Sequence, residues 1–254
     1  MNILPIALNT YKEAIRDKVL YIILLFSVVM IGGSLILSSL SVGQNVKIVV
    51  DLGLAAINIF GVLITLFIGT NLLSKEIEKK TIYLLLTKPL NKTSFILGKH
   101  IGLSLTLFVI ISLMTLCFYG LLYFTTGDTP AIYLQAIFLT YIELVLLIAV
   151  AIFFSTIAPP VMSSIYTLCV YIIGHFSRDL LNFGELSQNP ILINITKAIY
   201  YVMPDLEKLN LKNIVTYNAQ SLSPEIFTSS LGYGLLYTAI IIIVAAFSFE
   251  FKEF

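Results

Sequence analysis

The sequence predicts an all-α membrane protein with six transmembrane helices, and three observations carry that expectation. Of its 254 residues, 58% are hydrophobic and only 11% are charged, and the mean hydropathy of +0.98 lies far above that of a globular chain. Six apolar stretches approach or exceed the roughly 20 residues that a helix needs to cross a hydrocarbon core about 30 Å thick. The third observation is the charged interruption SKEIEKKTIYLLLTKPLNKTSFILGKH, residues 74–100. It holds six of the fifteen basic residues, Lys75, Lys79, Lys80, Lys88, Lys92 and Lys99, while the apolar runs on either side hold none.

The chain opens with an amphipathic stretch, residues 1–18. Leu4, Leu8, Tyr11 and Ile15 recur at helical spacing opposite Asn9, Lys12, Glu13 and Arg16, with Pro5 suited to a first turn. This predicts an interfacial helix on the inner membrane surface. The spans follow at about residues 19–40, 52–73, 101–124, 132–154, 161–176 and 231–249. The first is too long for a signal-peptide core and reads as a retained helix. Short loops rich in lysine stay in the cytoplasm. Placing residues 74–100 inside therefore puts both termini inside and ten of the fifteen basic residues on the cytoplasmic face. The remaining five include Arg178, Lys197, Lys208 and Lys212 of one long loop, residues 177–230, whose charges count for less. Within that loop, the apolar piece between Pro190 and Pro204 is too short to span and fits a helix at the outer face. Residues 205–215 and 224–229 read as further ordered outer structure. The chain forms a single membrane domain, residues 1–254.

Two places can carry function. Residues 74–87 form a helix, with Glu76 and Glu78 near its start favouring the positive end of the dipole and Pro89 stopping it; Asn91 to Ser94 then caps the helix that leads into the third span. A short surface helix presenting Thr81 and Leu85 beside Glu76, Glu78, Lys79 and Lys88 is a surface that a cytosolic motor can push. It reads equally as a solvated loop obeying the charge rule. The second place lies inside the membrane. Glu143 is the only acidic residue near the middle of a span, where a charge costs about 2.5–3.5 kcal/mol on insertion scales. It reads as a pathway contact or proton relay, or as a protonated or hydrogen-bonded packing group, with Tyr141, Tyr166 or a neighbouring subunit as the partner. Asn58, Tyr166 and His175 are the other candidate pathway residues, and His175, Arg178 and Asp179 form a candidate cluster at the outer interface. No nucleotide-binding loop exists, since Gly98-Lys99 is followed by His100 and Thr93 stands where the first glycine belongs. No metalloprotease signature, nucleophile elbow or cysteine ligand pair appears either. Energy must come from another chain or from a gradient.

Residues 74–99, with Glu76, Glu78, Thr81, Leu85, Lys88-Pro89 and Gly98-Lys99, resemble the stretch EIExxTIxxLLxKPLxxxxxxxGK of type-two ATP-binding-cassette (ABC) exporter permeases. STIAPPVMSSIYTLCVYIIGHFSRDL and YYVMPDLEKLNLKNIV, with the terminal FEFKEF, are similar to a small six-span branch related to the nitrous-oxide-reductase maturation permease. The resemblance implies the ABC exporter permease fold and a coupling helix between spans two and three. Glu76, Glu78, Lys79, Thr81, Leu85, Lys88 and Pro89 would then dock on an ATPase. It also implies two cytosolic ATPase subunits carrying the ATP and Mg, with no cofactor in this chain, and a second permease subunit, identical or different. Membrane lipids are further partners, and no nucleic acid is expected. The expected function is an exporter permease of the cytoplasmic membrane, not itself an enzyme, moving an unidentified substrate of lipid-like or amphipathic character. The alternative is an ATPase-linked anchor or mechanotransmitter acting on an extracytoplasmic partner protein through the outer loop.

Overall fold

The computed structural model describes residues 3–16, 25–34, 45–78, 92–218 and 223–251. They form helices α1 (Ile3–Arg16), α2 (Leu25–Ser34), α3 (Asn45–Glu78), α4 (Lys92–Thr126), α5 (Ile132–Ile157), α6 (Pro160–Leu186), α7 (Pro190–Val202), α8 (Lys212–Asn218) and α9 (Pro224–Glu250), with a 3₁₀ turn at Leu206–Lys208 before α8. Five of them are long and apolar enough to cross a membrane: α3 over Val46–Thr70, and α4, α5, α6 and α9. The short apolar helix α2 occupies the middle of the expected first span, whose two ends lie outside the described residues.

Helix α5 is the axis of the bundle. It is apolar on every side, and a helix of that kind has to be surrounded. Leu139, Leu144, Leu146, Leu147, Ala149 and Ala151 are all fully buried, and α3, α4, α6 and α9 pack around it. Polar bonds lock this packing at several depths. Tyr119 Oη donates to the Pro130 carbonyl at 2.9 Å, Tyr141 Oη to the Ser104 carbonyl at 3.3 Å, and the Ser155 and Ser163 hydroxyls meet at 2.9 Å across the α5–α6 turn. The end holding that turn, at Ala158 and Pro159, is called proximal here and the opposite end distal.

Several boundaries differ from the sequence expectation. Helix α3 does not stop at residue 73: it runs unbroken through Ser74 to Glu78, so the start of the charged segment extends the span instead of forming a separate helix. Helix α6 reaches Leu186, ten residues beyond the expected span end. Pro224 begins the last span instead of a separate outer piece, as its ring suits a first turn. Helix α7 matches the short helix expected between the two prolines; its 13 residues rise about 20 Å, too little to cross.

Helix α1 packs along α4 through its small residues and leaves the apolar face expected at the membrane interface uncovered by protein. Its small residues Ala7, Thr10 and Ala14 are buried, while Leu4 is 70% exposed and Leu8 is also exposed. The reason lies in α4. A Cβ at Gly102 would sit 2.6 Å from the Ala7 carbonyl oxygen, and one at Gly98 would sit 2.8 Å from the Ile6 side chain. Small residues four apart let the two backbones approach, as in helix pairs within membranes.

Candidate functional site

Inside the bundle, groups from five elements meet around Glu143. The carboxylate is fully buried at the middle of α5. From α3, Asn58 Nδ2 donates to its two oxygens at 3.4 and 3.5 Å. From α6, His175 Nε2 lies 3.3 Å from Oε1, and Tyr171 Oη donates to Asn58 Oδ1 at 2.7 Å. Only one orientation of the Asn58 amide satisfies both neighbours, so donors run in sequence from Tyr171 through Asn58 to Glu143. The Tyr171 and His175 rings meet edge to face, with centroids 4.6 Å apart.

The remaining groups come from the segment between α7 and α9, a cap that dips into the distal end of the bundle. Its leucines make that possible. Leu206 and Leu209 are fully buried and Leu211 nearly so. A Cβ at Gly174 would stand 2.8 Å from both the Leu206 side chain and the Pro204 carbonyl oxygen, so the absent side chain is what admits the cap. Burying these leucines brings Glu207 Oε2 to 3.9 Å from His175 Nδ1, where Asn210 Nδ2 also donates to it at 3.0 Å. Lys212, at the start of α8, feels both carboxylates. Its pKa is nonetheless lowered: burial penalises the ammonium more than Glu143 and Glu207 stabilise it.

A second polar layer closes the distal surface. Asp205 Oδ2 is 3.5 Å from Arg178 Nη2 and 3.7 Å from Lys208 Nζ, and the Asp205 amide donates to Tyr233 Oη at 2.7 Å. Lys208 also lies over the Tyr233 ring at 4.6 Å. These groups border an open pocket of about 570 Å³ shared by Arg178, Glu207, Lys208, Asn210 and Tyr233.

Of the four residues expected on a pathway, the structure brings Asn58, Glu143 and His175 together and leaves Tyr166 apart. Tyr166 packs on Phe154 and is 44% exposed. Neither expected hydroxyl partner of Glu143 reaches it: Tyr141 bonds the Ser104 carbonyl, and Tyr171 takes the place offered to Tyr166, acting through Asn58. The outer His-Arg-Asp cluster separates too, since His175 turns inward and Arg178 pairs with Asp205 while Asp179 is exposed. Glu207, Asn210 and Lys212 were not singled out in the sequence. Their signal is the run of leucines at 206, 209 and 211 threaded through charges, a pattern that buries one side of an otherwise polar segment.

The coupling residues can be placed only in part. Glu76 and Glu78 stand on the last turns of α3; Lys79, Thr81, Leu85, Lys88 and Pro89 lie outside the described residues.

A bundle of five spanning-length apolar helices, closed around a buried ionisable cluster, is a multi-pass membrane protein. The sequence model of the ABC-2 family transporter proteins matches residues 4–254, and the chain belongs to that family. It is the membrane permease component of an ABC transporter, a class that works with an ATPase subunit. No curated protein gives a significant match.

Proposed function

We propose that the chain is the permease of an ATP-driven exporter in a cytoplasmic membrane, with its proximal end and both termini facing the cytosol. Two ATPase subunits bind ATP and Mg and grip the segment from Glu76 to Pro89 on each of two permeases. Within the family it would belong to the small six-span branch related to the nitrous-oxide-reductase maturation permease.

The observation that carries this reading is the continuity of α3. A helix of 34 residues is about 51 Å long, well beyond the ~30 Å of a hydrocarbon core. It joins the buried face at Asn58 to Glu76 and Glu78 without a hinge. Force applied at the charged segment therefore reaches the centre of the bundle as rigid-body motion. The same helix meets α5 and α6, so its tilt alters the packing around Glu143.

An amphipathic cargo fits the surface best. A largely apolar groove of about 410 Å³ lies between α4 and α5, walled by Phe108, Phe138, Tyr141 and Phe227, with Gln135 as a polar contact. Acyl chains fill such walls from the bilayer side.

The test is co-purification of the tagged permease from mild detergent. The wild-type chain brings down an ATPase and Glu76→Lys loses it, because the substitution reverses charge on the gripping face. An ATPase retained equally by both would remove Glu76 from the docking surface, and none with either would overturn the reading.

A further inference from the structure

The cluster at Glu143 ties two bodies together, and one atom at the junction is unsatisfied. His175 Nε2 faces Glu143 of α5 at 3.3 Å, and Nδ1 faces Glu207 of the cap at 3.9 Å. That Nδ1 is buried and has no hydrogen-bond partner. A neutral imidazole has one N–H and one lone pair, whereas the cation has two N–H groups. Only the cation presents a donor to both carboxylates. The neutral ring turns a lone pair toward one of them.

We propose that Glu143, His175 and Glu207 form a proton-binding site that pins the cap to the bundle. With the proton bound, the imidazolium joins α5 to the Leu206–Lys208 turn. With the proton released, the turn is held by its leucines and by Asp205 alone, and the cap lifts more readily. Lys212 of α8 also faces both carboxylates, but burial weakens its hold on the proton. Tyr171 on its own helix and Asn58 of α3 are uncharged and complete the donor chain to Glu143. Proton loss from His175 therefore removes a positive charge from between Glu143 and Glu207. The ligand is the proton, and its entry route is the open pocket that Glu207 borders. The inference goes beyond the transport reading and requires no ATPase.

The experiment measures cap opening against pH in the full-length chain in membrane vesicles. Cys117 and Cys169 are replaced by alanine and Leu209→Cys is introduced. Labelling by a membrane-impermeant maleimide is normalised at each pH to the same protein in denaturant. Labelling rises by roughly tenfold from acid to alkaline pH, about what one charge-assisted contact supports. His175→Gln and Glu207→Gln each flatten that rise. A flat profile in the parent chain, or a rise that survives His175→Gln, overturns the proposal. Hydrogen exchange of residues 204–216 in the unsubstituted chain, corrected for intrinsic pH dependence, gives the same readout if Leu209→Cys does not fold.

Discussion

Helices α5 and α6 lie side by side in one bundle, yet they use opposite sequence logic. The most apolar stretch of α5 is 78% buried, that of α6 only 28%. From Leu139 to Ile152 the large aliphatic side chains of α5 are all buried. In α6 the buried positions are Ser163, Thr167, Val170, Gly174 and Ser177, recurring every three or four residues, and then Gly184 two turns on, while Val161, Ile172, Phe176 and Phe183 point outward. Lipid is as apolar as leucine, so nothing drives large apolar side chains inward; close packing and hydrogen bonds decide which face is buried. The small stripe of α6 admits the cap, and Tyr171 and His175 on its flank reach the one carboxylate that α5 carries.

The largest expected effect tests whether α5 depends on that polar junction. Glu143→Ala leaves His175 Nε2 and the Asn58 amide without the carboxylate they meet and should cost about 3–5 kcal/mol, the usual effect of breaking a buried pair. Removing Glu143 and His175 together should cost clearly less than the sum of the single substitutions. Thermal unfolding in one detergent measures the cycle, and strict additivity would break the link between the two helices.

The apolar comparison comes next. Leu147→Ala in α5 should cost about 2–5 kcal/mol, because no side chain can refill the space. Ile172→Ala in α6 should cost about 0.5 kcal/mol or less, as for an exposed position. Equal losses would mean that α6 is covered on the face described here as open, for instance by a second permease, and a dimer assay would then identify the cover.

How far the sequence can be read follows from the same contrast. Span-length hydrophobicity reports what lipid tolerates, which is why α4, α5 and the short α7 are legible and why α6 and α9 are shorter in the sequence reading than in the structure. Polar residues at the ends of a span look like interface, yet here they continue the helix. Glu143 is legible because a charge at that depth stands out. Asn58 and His175 are legible as polar residues within spans, but their meeting at Glu143 is not, and Glu207 joins them only because the cap folds back. Likewise, the apolar face of α1 is correctly seen as amphipathic, but the side that packs is chosen by the glycines of α4.

A smaller effect sharpens the cap half of the comparison. Gly174→Ala places a methyl 2.8 Å from the Leu206 side chain and the Pro204 carbonyl oxygen. The cap must shift, at a cost of about 1–3 kcal/mol by the usual penalty of overpacking. The test is faster proteolysis between residues 203 and 218 with the spans intact. An unchanged cleavage rate would show that the cap seats without needing the bare backbone of α6.

The smallest effect concerns Lys212, and its sign opposes that of His175. Burial holds this lysine below its ordinary value of about 10.4, with Glu143 and Glu207 opposing the shift incompletely. In the window between the folded and unfolded values the unfolded chain binds more protons, so stability rises with pH across that window. Cap stability should therefore rise with pH across the lysine window, and Lys212→Gln should abolish that rise. Hydrogen exchange of the cap followed to alkaline pH measures it. A rise that persists without Lys212 would assign it to another group at the distal end, with Tyr233 beside Asp205 the first to substitute.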